Sequence, residues 1–265
     1  MRCFVRIQYN GTPFNGWQKQ PNIKSTVQEH IETAMSAVFR SDIEIVGCGR
    51  TDTGVHARDF YFHFDTPDNY EGNVEKDLNS VVRMMSDAVA ILSWSRVHNE
   101  AHARFDAVSR SYEYIVTTRK DVFATTLSYH YCFRDPINLV TLNDAASILP
   151  EYHDFTSFCK SNTDVVHKIC EIKESYWYQY DESTYVFRIT ANRFLRGMVR
   201  LVVGMCLNVS RGKLELPEVK SAMQRKELLP VHWSVPAHGL YLTDIVYPFL
   251  NKEGNYTGFS TQNLD

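Results

Sequence analysis

Residues 46–65 decide the fold, and they read Val46-Gly-Cys-Gly-Arg-Thr-Asp-Thr-Gly-Val-His-Ala-Arg-Asp-Phe-Tyr-Phe-His-Phe-Asp65. A loop that carries Gly47, Gly49, Arg50, Asp52, Gly54 and His56 lies between two apolar segments, residues 43–46 and 60–64. Glycines let a backbone turn sharply and let a ligand come close. If residues 50–52 are extended, the side chains of Arg50 and Asp52 point to the same side. The stretch therefore predicts two strands joined by a contact loop that presents a carboxylate beside a guanidinium.

The composition indicates an ordinary globular protein. The chain has 265 residues, of which 44% are hydrophobic and 22% are charged. A net charge of −3 argues against a protein that holds polyanions by bulk charge, so a nucleic-acid site would have to be a local patch. The six cysteines include no Cys-x-x-Cys pair, which favours a reducing compartment. Without a signal-peptide pattern or an apolar run of roughly 20 residues, we expect a cytoplasmic protein with no membrane segment.

Hydrophobic periodicity outside the loop predicts two halves of similar order. The first half reads β-α-β-β-α-β, with strands at about residues 3–9, 43–48, 58–65 and 89–97 and helices at 26–40 and 73–85. The second half has strands at about 109–118, 168–180, 183–191 and 239–247 and helices at 139–149, 194–209 and 215–225. This pattern is typical of an α+β protein with antiparallel or mixed sheets and helices on one face. We expect an N-terminal half at 1–105, a C-terminal half at 106–250 and a mobile tail at 251–265.

A locally basic strip suggests where a polyanion could bind. Residues 183–214 contain no Asp or Glu, and their basic residues are Arg188, Arg193, Arg196, Arg200, Arg211 and Lys213. At helical spacing, Arg193, Gly197, Arg200, Gly204 and Asn208 share one face. Arginines separated by glycines supply charge with room for close approach. The alternative is a solvated helix face whose glycines pack against a strand.

Aromatic residues and histidines leave two further interpretations open. Flat rings near arginine, such as Tyr112 after Arg110, are what RNA-binding proteins use to stack unpaired bases, although most rings at alternating strand positions are core. The spacings Asp52-x-x-x-His56 and His63-x-Asp65 resemble metal-ligand spacings. Solvated or hydrogen-bonded histidines are commoner at such positions, so we expect no metal site.

Residues 49–57, Gly-Arg-Thr-Asp-Thr-Gly-Val-His-Ala, resemble the signature of the TruA-type tRNA pseudouridine synthases, which usually reads Gly-Arg-Thr-Asp-Ala-Gly-Val-His-Ala. The similarity runs almost end to end. Further matching segments follow in the family's order, at residues 9–18, 26–28, 102–114, 153–158, 194–204 and 236–240. Several motifs in the correct order are far more specific than any one of them.

The resemblance implies an isomerase that converts uridine to pseudouridine in the anticodon stem-loop of tRNA, at tRNA positions 38–40, without cofactor or metal. Asp52 matches the family's nucleophile, which attacks a flipped uridine at the ring or at the ribose carbon. Tyr112 matches the residue that stacks on the base and is a candidate for moving the C5 proton. Arg50 matches the arginine that holds the substrate backbone open, and Arg200 matches the one that pairs with the aspartate. Arg104, Arg193 and Arg196 are the expected RNA contacts.

For the whole molecule, the resemblance implies a pseudouridine synthase-like fold. Two similar α/β halves would share a largely antiparallel mixed sheet, with helices on one face and the active-site cleft on the other. It also implies a homodimer in which one tRNA lies across both subunits. A basic patch assembled from two chains need not make either chain basic.

Several residues depart from the family pattern, and for this reason other functions remain possible alternatives. The departures are Thr53, Asp59-Phe60, Arg83, His167-Lys168 and Ser210, and none replaces Asp52, Tyr112 or Arg200. The alternatives are a divergent paralogue that modifies other RNA uridines, a non-catalytic RNA-binding protein of the same fold, and a metal-dependent hydrolase using Asp52, His56 and His63.

Overall fold

The computed structural model describes residues 1–159 and 167–258 and confirms the predicted α+β class. The described residues form nine strands and five α-helices, and they include five antiparallel strand pairs and one parallel pair. The chain divides into two compact units, Met1–Val108 with Leu242–Asp265, and Ser109–Tyr241. No helix in the described ranges is both long enough and apolar enough to cross a membrane.

The first unit has the predicted order of elements. They are β1 (Arg2–Tyr9), α1 (Val27–Phe39), β2 (Val46–Gly47), β3 (His56–Asp65), α2 (Val74–Met84), β4 (Val89–Arg96) and most of β9 (Leu240–Val246). Strand β1 pairs antiparallel with both β3 and β4, and its Cys3, Phe4, Val5 and Ile7 are almost fully buried. Thr26 caps the start of α1, because its hydroxyl accepts a hydrogen bond from the Glu29 amide at 3.2 Å.

The second unit contains the remaining elements. They are β5 (Ser109–Thr117), β6 (Tyr129–His130), α3 (Leu139–Ser147), β7 (Ile172–Gln179), β8 (Thr184–Ala191), α4 (Met198–Ser210) and α5 (Leu216–Arg225). Strand β8 pairs antiparallel with β5 and β7, and β6 adds a short parallel pairing to β5. Three short 3-10 helices lie at Leu149–Glu151, Thr156–Phe158 and Ala237–Gly239. The sequence pattern did not predict β6 or the 3-10 helices.

Two predicted elements differ from the structure where they carry candidate site residues. The strand expected at 43–48 is only Val46–Gly47, so residues 43–45 lie outside the strand. The helix expected to begin at residue 194 begins at Met198, because Gly197 adopts φ 74° and the backbone before it is not helical. Arg193 and Arg196 therefore precede α4, and the predicted five-residue stripe on one helix face is wrong.

The end of the described chain is held against the first unit. Arg6 donates to the Lys252 carbonyl at 3.3 Å, and the hydroxyls of Ser93 and Ser95 donate to the carbonyls of Glu253 and Gly254. Residues 242–250, which we grouped with the C-terminal half, lie in the first unit. The division into separate halves stays a prediction, as does the mobility of the tail, whose residues 259–265 lie outside the described ranges.

Candidate active site

Asp52 lies at the first position of a tight turn immediately before β3. The Val55 amide donates to the Asp52 carbonyl at 3.1 Å, and Gly54 at the third position adopts φ 77°. A turn of this kind requires a positive φ at its third residue, which glycine adopts without steric cost. The Asp52 side chain is half-buried, whereas its neighbours Thr51 and Val55 are buried. The turn therefore exposes part of the Asp52 side chain, while the residues on either side of the turn are buried.

Buried contacts fix the backbone on the N-terminal side of Asp52. The Thr51 and Tyr9 hydroxyls share a buried hydrogen bond of 2.8 Å, and the Trp17 amide donates to the Thr51 carbonyl at 3.2 Å. A Cβ on Gly16 would come within 2.8 Å of that same carbonyl. Trp17 packs on Phe60 of β3, with ring centroids 4.0 Å apart. The segment 9–18 matched the family without a stated role, and its residues Tyr9, Gly16 and Trp17 support the Asp52 turn.

The C-terminal side of the turn is held by His56 and Gly11. The Gly11 amide donates to Nδ1 of the buried His56 at 3.1 Å. A Cβ on Gly11 would lie 2.0 Å from the Val55 carbonyl oxygen, so only glycine lets these two backbone segments approach so closely. His56 therefore serves as a hydrogen-bond acceptor inside the loop.

His63 also has a structural role. Its Nδ1 accepts a hydrogen bond from the Ala103 amide at 3.0 Å, and its ring stacks on Phe4. Burial lowers the pKa of His63 to about 4, so the imidazole is neutral near pH 7. Within residues 1–159 and 167–258, no three His, Cys, Asp or Glu side chains are grouped so that they could hold a metal ion.

Tyr112 lies on β5 in the second unit, directly opposite Ile189 of β8. Its ring is half-buried and meets the edge of Phe194 at a centroid distance of 5.1 Å and an interplanar angle of 89°. An edge-on neighbour supports an aromatic ring without covering both of its faces. Tyr114, two residues along the same strand, is fully buried and belongs to the core.

Arg200 is the third residue of α4, near the positive end of the helix dipole. The helix dipole disfavours a positive charge at this position, so Arg200 does not stabilise the helix through its charge. The Arg200 Nε donates to the Val235 carbonyl at 2.7 Å, and the Val235 amide donates to the Arg200 carbonyl at 3.3 Å. The guanidinium is thus held by a backbone segment that the sequence analysis did not single out, although the matched residues 236–240 follow it directly.

The remaining predicted site residues are exposed. Arg50 lies in the loop before Asp52, and Arg104 lies before β5, where its guanidinium is 5.7 Å from the centroid of the Phe105 ring. Arg193 and Arg196 lie between β8 and α4. Asp52, Arg50 and Arg104 belong to the first unit, and Tyr112, Arg193, Arg196 and Arg200 belong to the second.

One departure from the family pattern has a clear structural partner. Asp59 is buried on β3, and both of its carboxylate oxygens accept hydrogen bonds from Arg6 of β1, at 2.8 and 3.1 Å. A buried carboxylate needs such a partner, since an unpaired charge is costly in the interior. The departure is therefore accommodated by an ion pair between β3 and β1.

The family model and the relatives that match this chain are all described as tRNA pseudouridine synthases. A family model described as tRNA pseudouridine synthase matches residues 151–248. A protein of Bacteroides fragilis named tRNA pseudouridine synthase A is 41% identical over 250 residues, covering 93% of this chain and 96% of that protein. Its namesake in Bacillus subtilis is 38% identical over 251 residues, covering 93% and 99%. This chain therefore belongs to the tRNA pseudouridine synthase A family, a family of isomerases.

Proposed function

We propose that this protein converts uridine to pseudouridine in the anticodon stem-loop of tRNA, at positions 38–40, with Asp52 as the nucleophile. The observation that carries the proposal is the Asp52 turn, in which a half-buried carboxylate is presented on buried, hydrogen-bonded supports. The family relationship supports the same activity.

The proposed reaction keeps every atom of the uridine. The Asp52 carboxylate attacks the ring or the ribose carbon, the bond from the ribose to N1 breaks, and the base is re-attached through C5. The proton leaves C5, N1 gains a proton, and release of the carboxylate regenerates the enzyme. Because no electrons are exchanged with another reactant, the reaction needs no redox cofactor. Covalent catalysis divides one difficult step into two easier ones.

Two residues of the second unit complete the proposed site. Tyr112 stacks on the flipped base, which replaces part of the stacking that the base loses when it leaves the RNA. Arg200 pairs with Asp52 and keeps the carboxylate ionised and oriented, since a nearby cation favours the charged form. Arg50 holds the RNA backbone open. The edge-on support of Tyr112 by Phe194 and the fixed guanidinium of Arg200 favour these assignments.

For binding, we propose a cytoplasmic homodimer that holds one tRNA across both subunits. The exposed Arg104, Arg193 and Arg196 would contact phosphates. A net charge of −3 for one chain is compatible with a basic surface assembled from two copies. Analytical ultracentrifugation of the protein with and without tRNA tests this assembly, and a stable one-to-one complex of monomer and tRNA would contradict it.

The test compares Asp52→Asn with Asp68→Asn, which changes an exposed aspartate of the same unit. Each protein is incubated with unmodified tRNA, and pseudouridine is mapped by position. We expect no detectable pseudouridine with Asp52→Asn and the normal product with Asp68→Asn. Formation by Asp52→Asn at the wild-type rate would exclude the nucleophile assignment, and binding without product by the wild type would favour a non-catalytic RNA-binding protein.

A further inference from the structure

The Arg200 side chain is held by residues 233–236, a segment without regular secondary structure that lies on α4 at Arg200 and Gly204. Val235 is fully buried, and it pairs with Arg200 in both directions, through Arg200 Nε to the Val235 carbonyl and through the Val235 amide to the Arg200 carbonyl. With Nε committed to Val235, only the two Nη groups can donate in parallel to a carboxylate. The segment therefore sets the edge of the guanidinium that can meet an anion.

Gly204 allows the segment to lie directly on the helix. It is one turn after Arg200, so the two residues share one face of α4. A Cβ on Gly204 would lie 1.9 Å from the Trp233 carbonyl oxygen. The Trp233 ring packs edge-on against Tyr129 and Phe133, at centroid distances of 6.1 and 5.9 Å. These contacts anchor the beginning of the segment.

Tyr114 anchors the end of the segment. Its ring is fully buried in the core under Gly239, and its hydroxyl donates to the Pro236 carbonyl at 2.8 Å. Burial raises the pKa of Tyr114, while the nearby Arg200 charge acts in the opposite direction. The hydroxyl is therefore protonated in the working pH range and remains a donor. This contact reaches the carbonyl immediately after Val235, one peptide unit from the bond to Arg200.

We propose that Tyr114 is a positioning residue for the reaction, which holds residues 235–236 so that the Val235 carbonyl orients the Arg200 guanidinium. The proposal rests on the proposed function of Arg200, and it assigns to Tyr114 a role other than core packing. It also gives the matched residues 236–240 a function, because they carry the carbonyl that Tyr114 binds and the glycine that its ring contacts.

The first test removes only the hydroxyl, with Tyr114→Phe. We expect the single-turnover rate of pseudouridine formation to fall about tenfold, as for one lost hydrogen bond, while the dissociation constant for tRNA changes less than about twofold. Tyr241→Phe is the matched control, because the Tyr241 hydroxyl donates to a different backbone carbonyl of the same unit, that of Leu127, at 2.5 Å. The control should leave the rate within about twofold of wild type even if its melting temperature falls equally.

The second test asks whether Tyr114 acts through Arg200. In an Arg200→Lys background, the Nε donor is absent, so adding Tyr114→Phe should slow the reaction less than about twofold. An equal factor in both backgrounds would overturn the proposal, as would an unchanged rate in Tyr114→Phe alone. If Arg200→Lys itself keeps the wild-type rate, the proposed function of Arg200 fails, which is a separate outcome.

A spectroscopic measurement keeps the inference testable when activity is too low to compare. The Arg200 Nε–H resonance is assigned in a nitrogen-15 spectrum by its loss in Arg200→Lys. We expect its exchange with water to be at least about tenfold faster in Tyr114→Phe than in wild type or Tyr241→Phe, because its acceptor is less ordered. Equal exchange rates in the three proteins would overturn the positioning role whatever the activity.

Discussion

The Asp52 turn and the start of α4 hold their charged side chains in different ways. Asp52 has a short side chain, and the contacts described around it fix the backbone on both sides, through Thr51 and Val55. Arg200 has a long side chain, and its guanidinium donates a hydrogen bond to the Val235 carbonyl. The difference follows from the number of rotatable bonds between the backbone and the charge.

The cost of disorder explains why the second arrangement needs more support. An arginine carries about 2 kcal/mol of rotamer entropy, so a fixed backbone alone does not place its guanidinium. An aspartate has only two side-chain torsions, and placing its backbone nearly places its carboxylate. We infer that stability and catalysis are more closely linked at the Asp52 turn than at Arg200.

The two regions share one feature, a glycine pressed against a backbone carbonyl, and replacing these glycines should give the largest effects. Gly11→Ala would place a Cβ 2.0 Å from the Val55 carbonyl, and Gly204→Ala would place one 1.9 Å from the Trp233 carbonyl. We expect Gly11→Ala to lower the free energy of unfolding by about 3 kcal/mol. For Gly204→Ala we expect about 2 kcal/mol, because alanine favours the helix by about 1 kcal/mol.

The control for both is Gly49→Ala, which lies in the same loop as Asp52 and has no heavy atom within 4 Å of its added Cβ. Chemical denaturation of the three variants should show a change of less than about 0.5 kcal/mol for Gly49→Ala. If Gly11→Ala were as stable as Gly49→Ala, the support of the turn would be less rigid than its geometry indicates.

The sequence predicted those features of the fold and the candidate site that are set by interactions between neighbouring residues. The start of α1 and the glycine-rich loop around Asp52 were predicted because Thr26, Glu29 and Gly54 act on their immediate neighbours. The late start of α4 was missed because Gly197 takes up a left-handed conformation that its residue type allows but does not require.

The support of Arg200 was missed for another reason. Residues 233–236 have no periodic pattern, and the contact of Tyr114 with Pro236 joins positions far apart in the sequence. Tyr114 is buried, as is usual for a ring at an alternating strand position, but the alternation could not show which carbonyl its hydroxyl reaches. Structure set by neighbouring residues was therefore predictable, whereas a contact with a distant backbone group was not.

Removing the Thr51 hydroxyl is a smaller change that tests the support of the Asp52 turn. Thr51→Val keeps the shape but removes the hydroxyl that pairs with Tyr9, leaving a buried hydroxyl without that partner. We expect a loss of about 1 to 2 kcal/mol in the free energy of unfolding, together with slower single-turnover formation of pseudouridine. Thr51→Ser keeps the hydroxyl and should restore the rate.

The double variant Tyr9→Phe, Thr51→Val provides the internal check. Because both polar partners are then removed, its stability loss should be smaller than the sum of the two single losses. If Thr51→Val lowered the free energy of unfolding but kept the full rate, stability and catalysis would not be linked at this turn. That result would contradict the inferred difference between the Asp52 turn and Arg200.

The smallest effects are expected from the exposed arginines that precede Arg200. Arg193→Ala and Arg196→Ala remove charges outside α4, so neither should change the stability of the fold by more than about 0.5 kcal/mol. If each contacts one phosphate, binding to tRNA should weaken several-fold, and the slope of log affinity against log salt should fall by about 0.7 to 0.9 per residue. Arg83→Ala, at an exposed position of α2, is the control and should leave the slope unchanged. An unchanged slope in Arg193→Ala and Arg196→Ala would restrict the contribution of this region to Arg200 itself, so that its arginines would serve orientation of the carboxylate and not capture of the RNA.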